Sequence, residues 1–388
     1  MIYLDNASTY EYRNIDDVIV NTITTAMKDS WQNPSSLYAT NVKDKINKCR
    51  TNIANFIGAK SEEIYFTSGS SESNNWAIRG WTDRMIQDFF FDPCIIVSAI
   101  EHKSILGAIN NAELNAITKC CKVDEYGMVD LEHLEHLLKK SGSRPVLVSV
   151  CLGNNEIGTV NHIKMIADLV HKYGGVLHTD ATQSFGHIPI NVEELEIDMM
   201  SVSGHKISPV LKGIGFLYKK NWVDIKPLIY GNQEQGLRGG TENTFGIIGL
   251  GKALEFCDVS CEKIEEIIDK RNYFISLLES KFGCKLNGHK DYRLPNNINV
   301  TFPQEITGET LLYMLDMSGI KISTSSACNS TSIKPSHVLK AIGLSDKKAM
   351  KSVRFTLCED ITYEDINYVI KEIAKAIKII SMEGYGDN

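Results

Sequence analysis

The sequence lacks the features that mark secreted, zinc-binding and membrane-spanning proteins. Its ten cysteines are scattered through 388 residues without a C-x-x-C pair, which indicates neither a zinc site nor a disulfide framework. No apolar run approaches the roughly 18 residues that a membrane-spanning helix needs. The first residues, MIYLDNAST, include no basic segment and are not typical of a signal peptide. We therefore expect a cytoplasmic protein with reduced thiols, no membrane partner and no bound metal.

An excess of positive charge is also absent. Lys and Arg number 41 against 48 Asp and Glu, a formal net charge of −7, and this excludes a bulk attraction for nucleic acid. With 43% hydrophobic and 23% charged residues, the composition is that of a globular protein and excludes disordered, collagenous and coiled-coil classes. At roughly 150 residues per domain, the length predicts two or three domains.

Short apolar runs rich in β-branched residues predict strands that are buried on both faces. Helical patterns, clearest at 131–139 and 158–173, lie between several of these runs. This alternation predicts a mostly parallel sheet with helices on both sides. The runs lie at 64–66, 95–97, 146–150, 176–177, 199–202 and 216–218.

The pattern changes after about residue 255. One long amphipathic helix is predicted over 262–282, and a final helix begins at Thr362 with a capping-box-like start. Between them, 298–302 and 353–357 resemble strands. We predict a large α/β domain over 14–255 and a smaller α+β domain formed by 1–13 and 256–388.

Asp180 and Lys206 each follow an apolar strand. Ligand sites in open α/β sheets form at the carboxyl ends of strands, so Asp180 is well placed to face a ligand, although it could instead cap a helix that begins at Ala181. A lysine at such a strand end can be partly desolvated, which frees its amine for Schiff-base chemistry. A carboxylate for the pyridinium nitrogen and a Schiff-base lysine are what pyridoxal 5′-phosphate (PLP) requires.

A phosphate group also needs a cradle of hydrogen-bond donors. The segment 66–72, FTSGSSE, follows a strand and opens a helix, where exposed backbone N–H groups and the helix dipole favour an anion. Ser203, His205 and Thr241 could supply further donors.

Eleven short segments, in order along nearly the whole chain, resemble the NifS/IscS-type cysteine desulfurases. This family belongs to the class V branch of the fold-type I PLP enzymes, so the resemblance implies that fold. The segments are YLDNAST at 3–9, NPSS at 33–36, FTSGSSESNN at 66–75, EHKSIL at 101–106, NNEIGT at 154–159, HTDATQS at 178–184, SVSGHK at 201–206, QEQGLRGGTEN at 233–243, SSACNS at 325–330, PSHVL at 335–339 and VRFTL at 353–357.

The resemblance implies a role for each cofactor-binding position. Lys206 would hold PLP as a Schiff base, Asp180 would pair with the pyridine nitrogen, and Gln183 would hydrogen-bond the ring hydroxyl. His102 would stack on the ring and assist Lys206 in moving protons. The phosphate would be held by Ser70, Ser71, Ser203 and His205, and by Thr241 from the other subunit of a homodimer.

The resemblance further implies how the substrate, L-cysteine, is bound and cleaved. Arg354 would bind the substrate carboxylate in a bidentate manner, helped by Asn155, which also borders the cofactor, and by Asn33. Cys328 would take the sulfur as a persulfide and release alanine. Its small polar neighbours from Ser323 to Ser332 predict a loop that could carry sulfur to an acceptor.

The implied partner is a sulfur-acceptor protein, either a scaffold for iron–sulfur cluster assembly or a tRNA-thiolation protein. Three other interpretations stay open: a selenocysteine lyase, another class V aminotransferase, and a catalytically idle scaffold protein. The sequence departs from the family pattern at 207–213, where the loop after Lys206 is one residue longer. It also departs at Ser325, where the family has glycine, and at Ser71, where it has threonine.

Overall fold

The computed structural model describes residues 1–11, 15–89, 92–111, 113–324 and 335–383. The α-helices are α1 Asp16–Asp29, α2 Thr40–Ile57, α3 Ser70–Phe89, α4 Lys103–Ile109, α5 Leu131–Lys139, α6 Ile163–Lys172, α7 Thr244–Leu254, α8 Cys261–Phe282, α9 Gly308–Met317, α10 His337–Ala341, α11 Asp346–Met350 and α12 Tyr363–Glu383. The strands are β1 Ile2–Tyr3, β2 Ile64–Thr67, β3 Cys94–Ser98, β4 Ile117–Cys121, β5 Val146–Ser149, β6 Val176–Asp180, β7 Met199–Ser203, β8 Gly215–Lys219, β9 Lys285–Leu286, β10 Asn297–Thr301, β11 Ile320–Lys321, β12 Ser323–Thr324 and β13 Ser352–Thr356.

The central sheet has seven strands in the order β2-β8-β7-β6-β5-β3-β4. Its pairs are parallel except for the two made by β8, which is antiparallel to both β2 and β7. The predicted mostly parallel sheet is therefore confirmed, and with it the predicted α/β fold class. Each of the six predicted apolar runs of this domain coincides with a strand, and only Val150 lies beyond the end of its strand, β5.

Both faces of the central sheet are apolar because successive side chains of its strands point to opposite sides. Ile64 and Phe66 of β2 pack in the cluster with α1, α2, α5, α6 and α7, whereas Tyr65 packs in the cluster with α3 and α4. Ile96 and Ile95 of β3 divide in the same way. This two-sided burial explains why the sequence shows continuous apolar runs instead of alternation.

A second unit contains the four-stranded antiparallel sheet β12-β13-β10-β9 and the parallel pair β1-β11. Helices α8, α9 and α12 pack in its apolar cluster, which also includes Leu4 from the start of the chain. This packing favours the predicted small domain of 1–13 and 256–388, and the domain limits at 14 and 255 stay a prediction. The capping box at Thr362 is confirmed, because Thr362 Oγ1 accepts from the Asp365 N–H at 3.0 Å and the Asp365 carboxylate accepts from the Thr362 N–H at 3.1 Å.

One prediction of secondary structure is wrong in part, and one strand of the central sheet was missed. The helix expected over 158–173 begins only at Ile163, because Thr159 and Val160 form antiparallel bridges with Arg293 and Gly153. Strand β4 was not predicted, since it is an edge strand of sequence ITKCC whose side chains are mostly exposed and give no apolar run. Edge strands carry the weakest burial signal.

Within the described ranges, no helix is both long and apolar enough to cross a lipid bilayer. The same residues contain no group of three or more His, Cys, Asp or Glu side chains placed to hold a metal ion. The cysteines outside 325–334 are free thiols.

Candidate active site

A cavity of about 610 Å³ lies at the carboxyl ends of the parallel strands. Strands β2, β3, β5, β6 and β7 all run in the same direction, so the residues that follow them meet at one edge of the sheet. The structure brings together nine of the predicted site residues in the wall of this cavity: Ser70, Ser71, His102, Asn155, Asp180, Gln183, His205, Lys206 and Arg354.

Lys206 ends a short 3₁₀ turn, Gly204–Lys206, that follows β7. Its Nζ donates hydrogen bonds to the carbonyl oxygens of Ala7 and Ser8, each at 2.6 Å. The Gln183 side chain donates to the same Ala7 carbonyl at 2.9 Å. The segment YLDNAST therefore forms one wall of the cavity, because its backbone carbonyls hold the lysine amine in place.

Asp180 is the last residue of β6 and is buried. One carboxylate oxygen accepts from the Thr182 N–H at 2.9 Å and the other accepts from Asn74 Nδ2 at 2.8 Å. The residues after Asp180 form turns, so no helix begins at Ala181 and the competing N-cap interpretation is wrong. Each carboxylate oxygen therefore has a hydrogen-bond donor that fixes its position.

The predicted phosphate cradle is formed by the start of α3 and the end of β7. Ser70 and Ser71 open α3, and the Ser203 hydroxyl lies 2.8 Å from His205 Nδ1. Burial, together with the positive charge of Lys206, lowers the pKa of His205 to about 4. Gly69, just before α3, has φ +147°, and a Cβ there would lie 3.2 Å from Ser203 Oγ. A side chain at residue 69 would therefore crowd the Ser203 hydroxyl.

His102 caps the amino end of α4, where its Nδ1 accepts from the Ser104 N–H at 3.2 Å and lies 2.8 Å from the Ser104 hydroxyl. Its ring is exposed to the cavity. The surrounding protein lowers the pKa of His102 below its usual 6.5 by withdrawing water from it, and Asp180 opposes this effect. This lowering favours the neutral ring.

Arg354 enters the cavity from the small sheet, on β13. Its guanidinium donates to Asp5 Oδ1 at 2.7 Å, to Ser8 Oγ at 3.1 Å and to the Asn155 carbonyl at 3.0 Å. The side chain is buried, and its Nε has no partner among the described residues. Burial raises the pKa of the neighbouring Glu156 carboxyl.

Cys151, which follows β5, lines the cavity as well and was not singled out from the sequence. Burial raises the pKa of its thiol well above the usual 9. A thiol that stays protonated is a poor nucleophile.

Four predicted site residues are not in the wall of this cavity as the structure describes it. Ser203 is buried at the end of β7, where its hydroxyl contacts His205. Asn33 is exposed, and its Oδ1 accepts from the Ser35 N–H at 2.9 Å. Thr241 is exposed at a separate small cavity of about 140 Å³ that Arg238 and Glu242 also line. Cys328 lies outside the described residues.

The sequence reasoning missed Asn74, Ser104 and Asp5. Asn74 is fully buried and joins Asp180 to Ser104. Its position four residues after Ser70 places it on the same face of α3 as the cradle, and this spacing could have predicted it. Asp5 pairs with Arg354 from 349 residues away, a contact that no local pattern contains.

Comparison with known proteins gives consistent matches over most of the chain. The family model described as aminotransferase class-V matches residues 2–369. A cysteine desulfurase IscS from Dictyoglomus turgidum is 40% identical over 98% of this chain and 96% of its own. A solved NifS-like protein superposes with a TM-score of 0.87 at 32% identity, covering 98% of this chain and 99% of the other. A structure described as SspA in complex with cysteine gives a TM-score of 0.78 at 33% identity, over 92% and 99% of the two chains. Class-V aminotransferases and cysteine desulfurases are PLP-dependent families.

Proposed function

From the premise that the chain belongs to the aminotransferase class-V family, we propose that it is a PLP-dependent cysteine desulfurase. It converts L-cysteine to L-alanine and leaves the sulfur as a persulfide on Cys328. The observation that carries this proposal is the convergence of Lys206, Asp180, His102 and Arg354 on one cavity at the carboxyl ends of the parallel strands. The relatives named as cysteine desulfurases support the same activity.

The chemistry of the donor set fits PLP. Asp180 supplies a buried carboxylate for the pyridine nitrogen, Lys206 supplies the amine for the aldehyde, and Gln183 lies beside that amine for the ring hydroxyl. Ser70, Ser71 and His205 line the cavity, Ser203 contacts His205, and these four residues would hold the phosphate. Bound PLP supplies an electron sink that stabilises negative charge at the substrate α-carbon.

The remaining cavity residues bind the substrate and move its protons. Arg354 and Asn155 bind the substrate carboxylate. Lys206 Nζ moves the α-proton, with His102 assisting. The Cys328 thiolate attacks the substrate sulfur, so that an S–S bond forms as the C–S bond breaks and its electron pair stays with the alanine fragment.

We propose that the working form is a homodimer. Thr241 and Asn33 lie on the surface, outside the cavity of their own chain. Large apolar side chains near Asn33 are strongly exposed, with Trp31 at 68% and Tyr38 at 78% of full exposure. Large apolar side chains exposed close together in the sequence favour an interface. In a dimer, Thr241 would complete the phosphate site of the partner chain.

The acceptor of the sulfur is proposed to be another protein, an iron–sulfur scaffold or a tRNA-thiolation protein, in the cytoplasm. The net charge of −7 argues against direct binding of nucleic acid.

The test compares two variants with the purified wild type. Lys206→Ala should lose the visible absorbance of the Lys206–PLP Schiff base. Cys328→Ala should keep that absorbance and lose alanine formation from cysteine under reducing conditions. Cys120→Ala, which alters an exposed thiol on β4, is the matched control and should behave as wild type. Alanine formation by Cys328→Ala at the wild-type rate would contradict the proposal.

Substrate choice is tested in the same assay. Cysteine and selenocysteine are supplied separately, and alanine is measured with each. Cys328→Ala could lose alanine formation from cysteine and keep it from selenocysteine. This result would indicate a desulfurase that needs the Cys328 thiol to remove sulfur but not selenium. Turnover with selenocysteine but not with cysteine in the wild type would indicate a selenocysteine lyase.

A further inference from the structure

Four side chains form one hydrogen-bonded chain beneath the cavity. Asn74 Nδ2 lies 2.8 Å from Asp180 Oδ2 and 2.9 Å from Ser104 Oγ, and Ser104 Oγ lies 2.8 Å from His102 Nδ1. Asn74 is fully buried at the centre of this chain. The chain therefore links the residue assigned to the pyridine nitrogen with the residue assigned to the ring face.

The direction of each hydrogen bond follows from the chemistry of the groups. The Asn74 atom that faces Asp180 must be the nitrogen, since an amide oxygen there would face a carboxylate oxygen at 2.8 Å without a hydrogen between them. An amide nitrogen has two hydrogens and accepts none. One hydrogen goes to Asp180, so the other goes to Ser104 Oγ.

Ser104 therefore accepts from Asn74, and its own hydroxyl hydrogen is available for His102 Nδ1. The backbone N–H of Ser104 also points at Nδ1, at 3.2 Å, and can only donate. Two donors are thus directed at a single ring nitrogen. Nδ1 must offer its lone pair, which leaves the ring hydrogen on Nε2.

We propose that Asn74 and Ser104 are positioning residues that hold His102 as the neutral tautomer with its hydrogen on Nε2, which makes His102 a hydrogen donor to the cavity. This inference deepens the proposed function. It rests on that function for the identity of the group that accepts the hydrogen bond from His102 Nε2. In the resting enzyme the neutral His102 ring therefore donates a hydrogen bond from Nε2. Because that nitrogen already holds its hydrogen, it cannot act as a base in this form.

The charged and titratable groups around His102 act in both directions. Asp180 on β6 favours a protonated ring, whereas Lys206, the adjacent Lys103 and His337 on α10 disfavour it, as does burial. The net effect lowers the pKa of His102. These groups determine whether the ring is charged, and the hydrogen-bonded chain determines which nitrogen holds the hydrogen when it is not.

The tautomer can be read directly by solid-state NMR of the PLP-loaded protein with ¹⁵N only at histidine Nδ1. The chain has ten histidines, and the signal that disappears in His102→Gln identifies His102. At pH 7 we expect a Nδ1 signal of the unprotonated, pyridine type. A signal of the protonated, pyrrole type would overturn the proposal.

Variants test whether Asn74 and Ser104 are responsible. Ser104→Ala and Asn74→Ala should raise the pH at which His102 Nδ1 becomes protonated, by about one pH unit for a lost hydrogen bond. Ser104→Thr keeps the hydroxyl and should behave as wild type. The signals of the other nine histidines must stay in place, which shows that the variants are folded. An unchanged His102 titration in both alanine variants would refute the positioning role.

Alanine formation from cysteine is measured on the same samples, so that the two proposals fail separately. A pyridine-type Nδ1 signal in a protein that forms no alanine would contradict the proposed desulfurase activity and support the proposed tautomer. A pyrrole-type signal in a protein that forms alanine would remove only the tautomer.

Discussion

Arg354 and Asp5 form an ion pair in which the guanidinium Nη2 lies 2.7 Å from the carboxylate Oδ1. The pair joins β13 to the segment that also holds Lys206 Nζ through the carbonyls of Ala7 and Ser8. A substrate carboxylate that binds Arg354 would meet a side chain whose position is already fixed by a carboxylate, a hydroxyl and a carbonyl. The ion pair therefore preorganises the arginine and also competes for it.

Arg354→Lys should raise the KM for cysteine about 10- to 100-fold and change kcat much less. Lysine keeps the positive charge but loses the planar fork that binds a carboxylate through two parallel hydrogen bonds. Each charge-assisted hydrogen bond is worth about 1.5–3 kcal/mol. Steady-state kinetics of alanine formation measure both constants.

Asp5→Asn is the control for this prediction. The amide oxygen still accepts from Arg354, while the competing negative charge is removed, so we expect a KM no higher than that of the wild type. A KM for Arg354→Lys equal to the wild-type value would show that Arg354 does not bind the substrate.

Gly69→Ala should weaken the binding of PLP about tenfold. A non-glycine residue at φ +147° costs about 1–2 kcal/mol, and the new Cβ would lie 3.2 Å from the Ser203 hydroxyl in the cradle. The measurement is the dissociation constant of PLP, obtained from its absorbance when the apo-enzyme is titrated.

Gly107→Ala is the matched control, because Gly107 lies in α4 with no atom near the position of its missing Cβ. Alanine is favoured over glycine within a helix, so the affinity for PLP should stay that of the wild type. Equal affinities in Gly69→Ala and Gly107→Ala would place the phosphate elsewhere.

Six of the seven strands of the central sheet could be predicted from the sequence because they are buried on both faces. Runs such as Ile95–Val97 and Val146–Val148 have no polar interruption, which is typical of a strand buried on both faces. The antiparallel direction of β8 could not be predicted. Phe216–Tyr218 is as apolar as the neighbouring strands. The direction of β8 depends on the path of the segment that joins it to β7, and composition does not show that path.

The candidate site could be predicted where a residue ends a strand, as Asp180 does, or follows one closely, as Lys206 does. Asn74 and Ser104 were not predicted as site residues because their roles depend on contacts between α3 and α4. Their hydrogen bond joins residues that are 30 positions apart in the chain. Asn33 and Thr241 lie outside the cavity of their own chain, so the geometry of a single chain leaves their roles a prediction.

Arg50→Ala should lower the free energy of unfolding by about 3 kcal/mol. Arg50 donates to both oxygens of Glu234 at 2.7 and 2.9 Å, and Glu234 also accepts from the Phe66 N–H at 3.0 Å. The Glu234 side chain is 3% exposed, so removal of the arginine leaves a buried carboxylate without its charge partner. Urea unfolding followed by circular dichroism measures the loss.

Lys164→Ala is the comparison, since Lys164 and Asp168 form an exposed pair on α6. Exposed pairs one helical turn apart contribute about 0.3–0.5 kcal/mol. A loss as small in Arg50→Ala as in Lys164→Ala would show that Glu234 is solvated or rearranges.

His178→Asn should remove part of the pH dependence of stability on the acid side. His178 is fully buried on β6, with Nδ1 2.9 Å from the Ser149 hydroxyl and Nε2 2.9 Å from the Ser201 hydroxyl. Burial lowers the pKa of His178 from 6.5 to about 4, although Asp180 on the same strand face opposes this shift. The folded protein therefore keeps the ring neutral at a pH where the unfolded chain protonates it.

Because the pKa of His178 is lower in the folded state, its contribution to stability is complete above pH 6.5 and is lost as the pH falls toward 4. Between pH 7 and pH 5 the wild type should lose about 2 kcal/mol through this residue. Urea unfolding measures the difference in unfolding free energy between wild type and His178→Asn. This difference should therefore shrink by that amount, because the contributions of the other titratable groups are the same in both proteins and cancel. His136→Asn changes an exposed histidine of α5 and should give a difference that is the same at both pH values. A constant difference for His178→Asn as well would mean that His178 takes up a proton within the folded protein. The protonated ring would place a positive charge beside Asp180. This charge would weaken the assignment of Asp180 as the partner of the pyridine nitrogen.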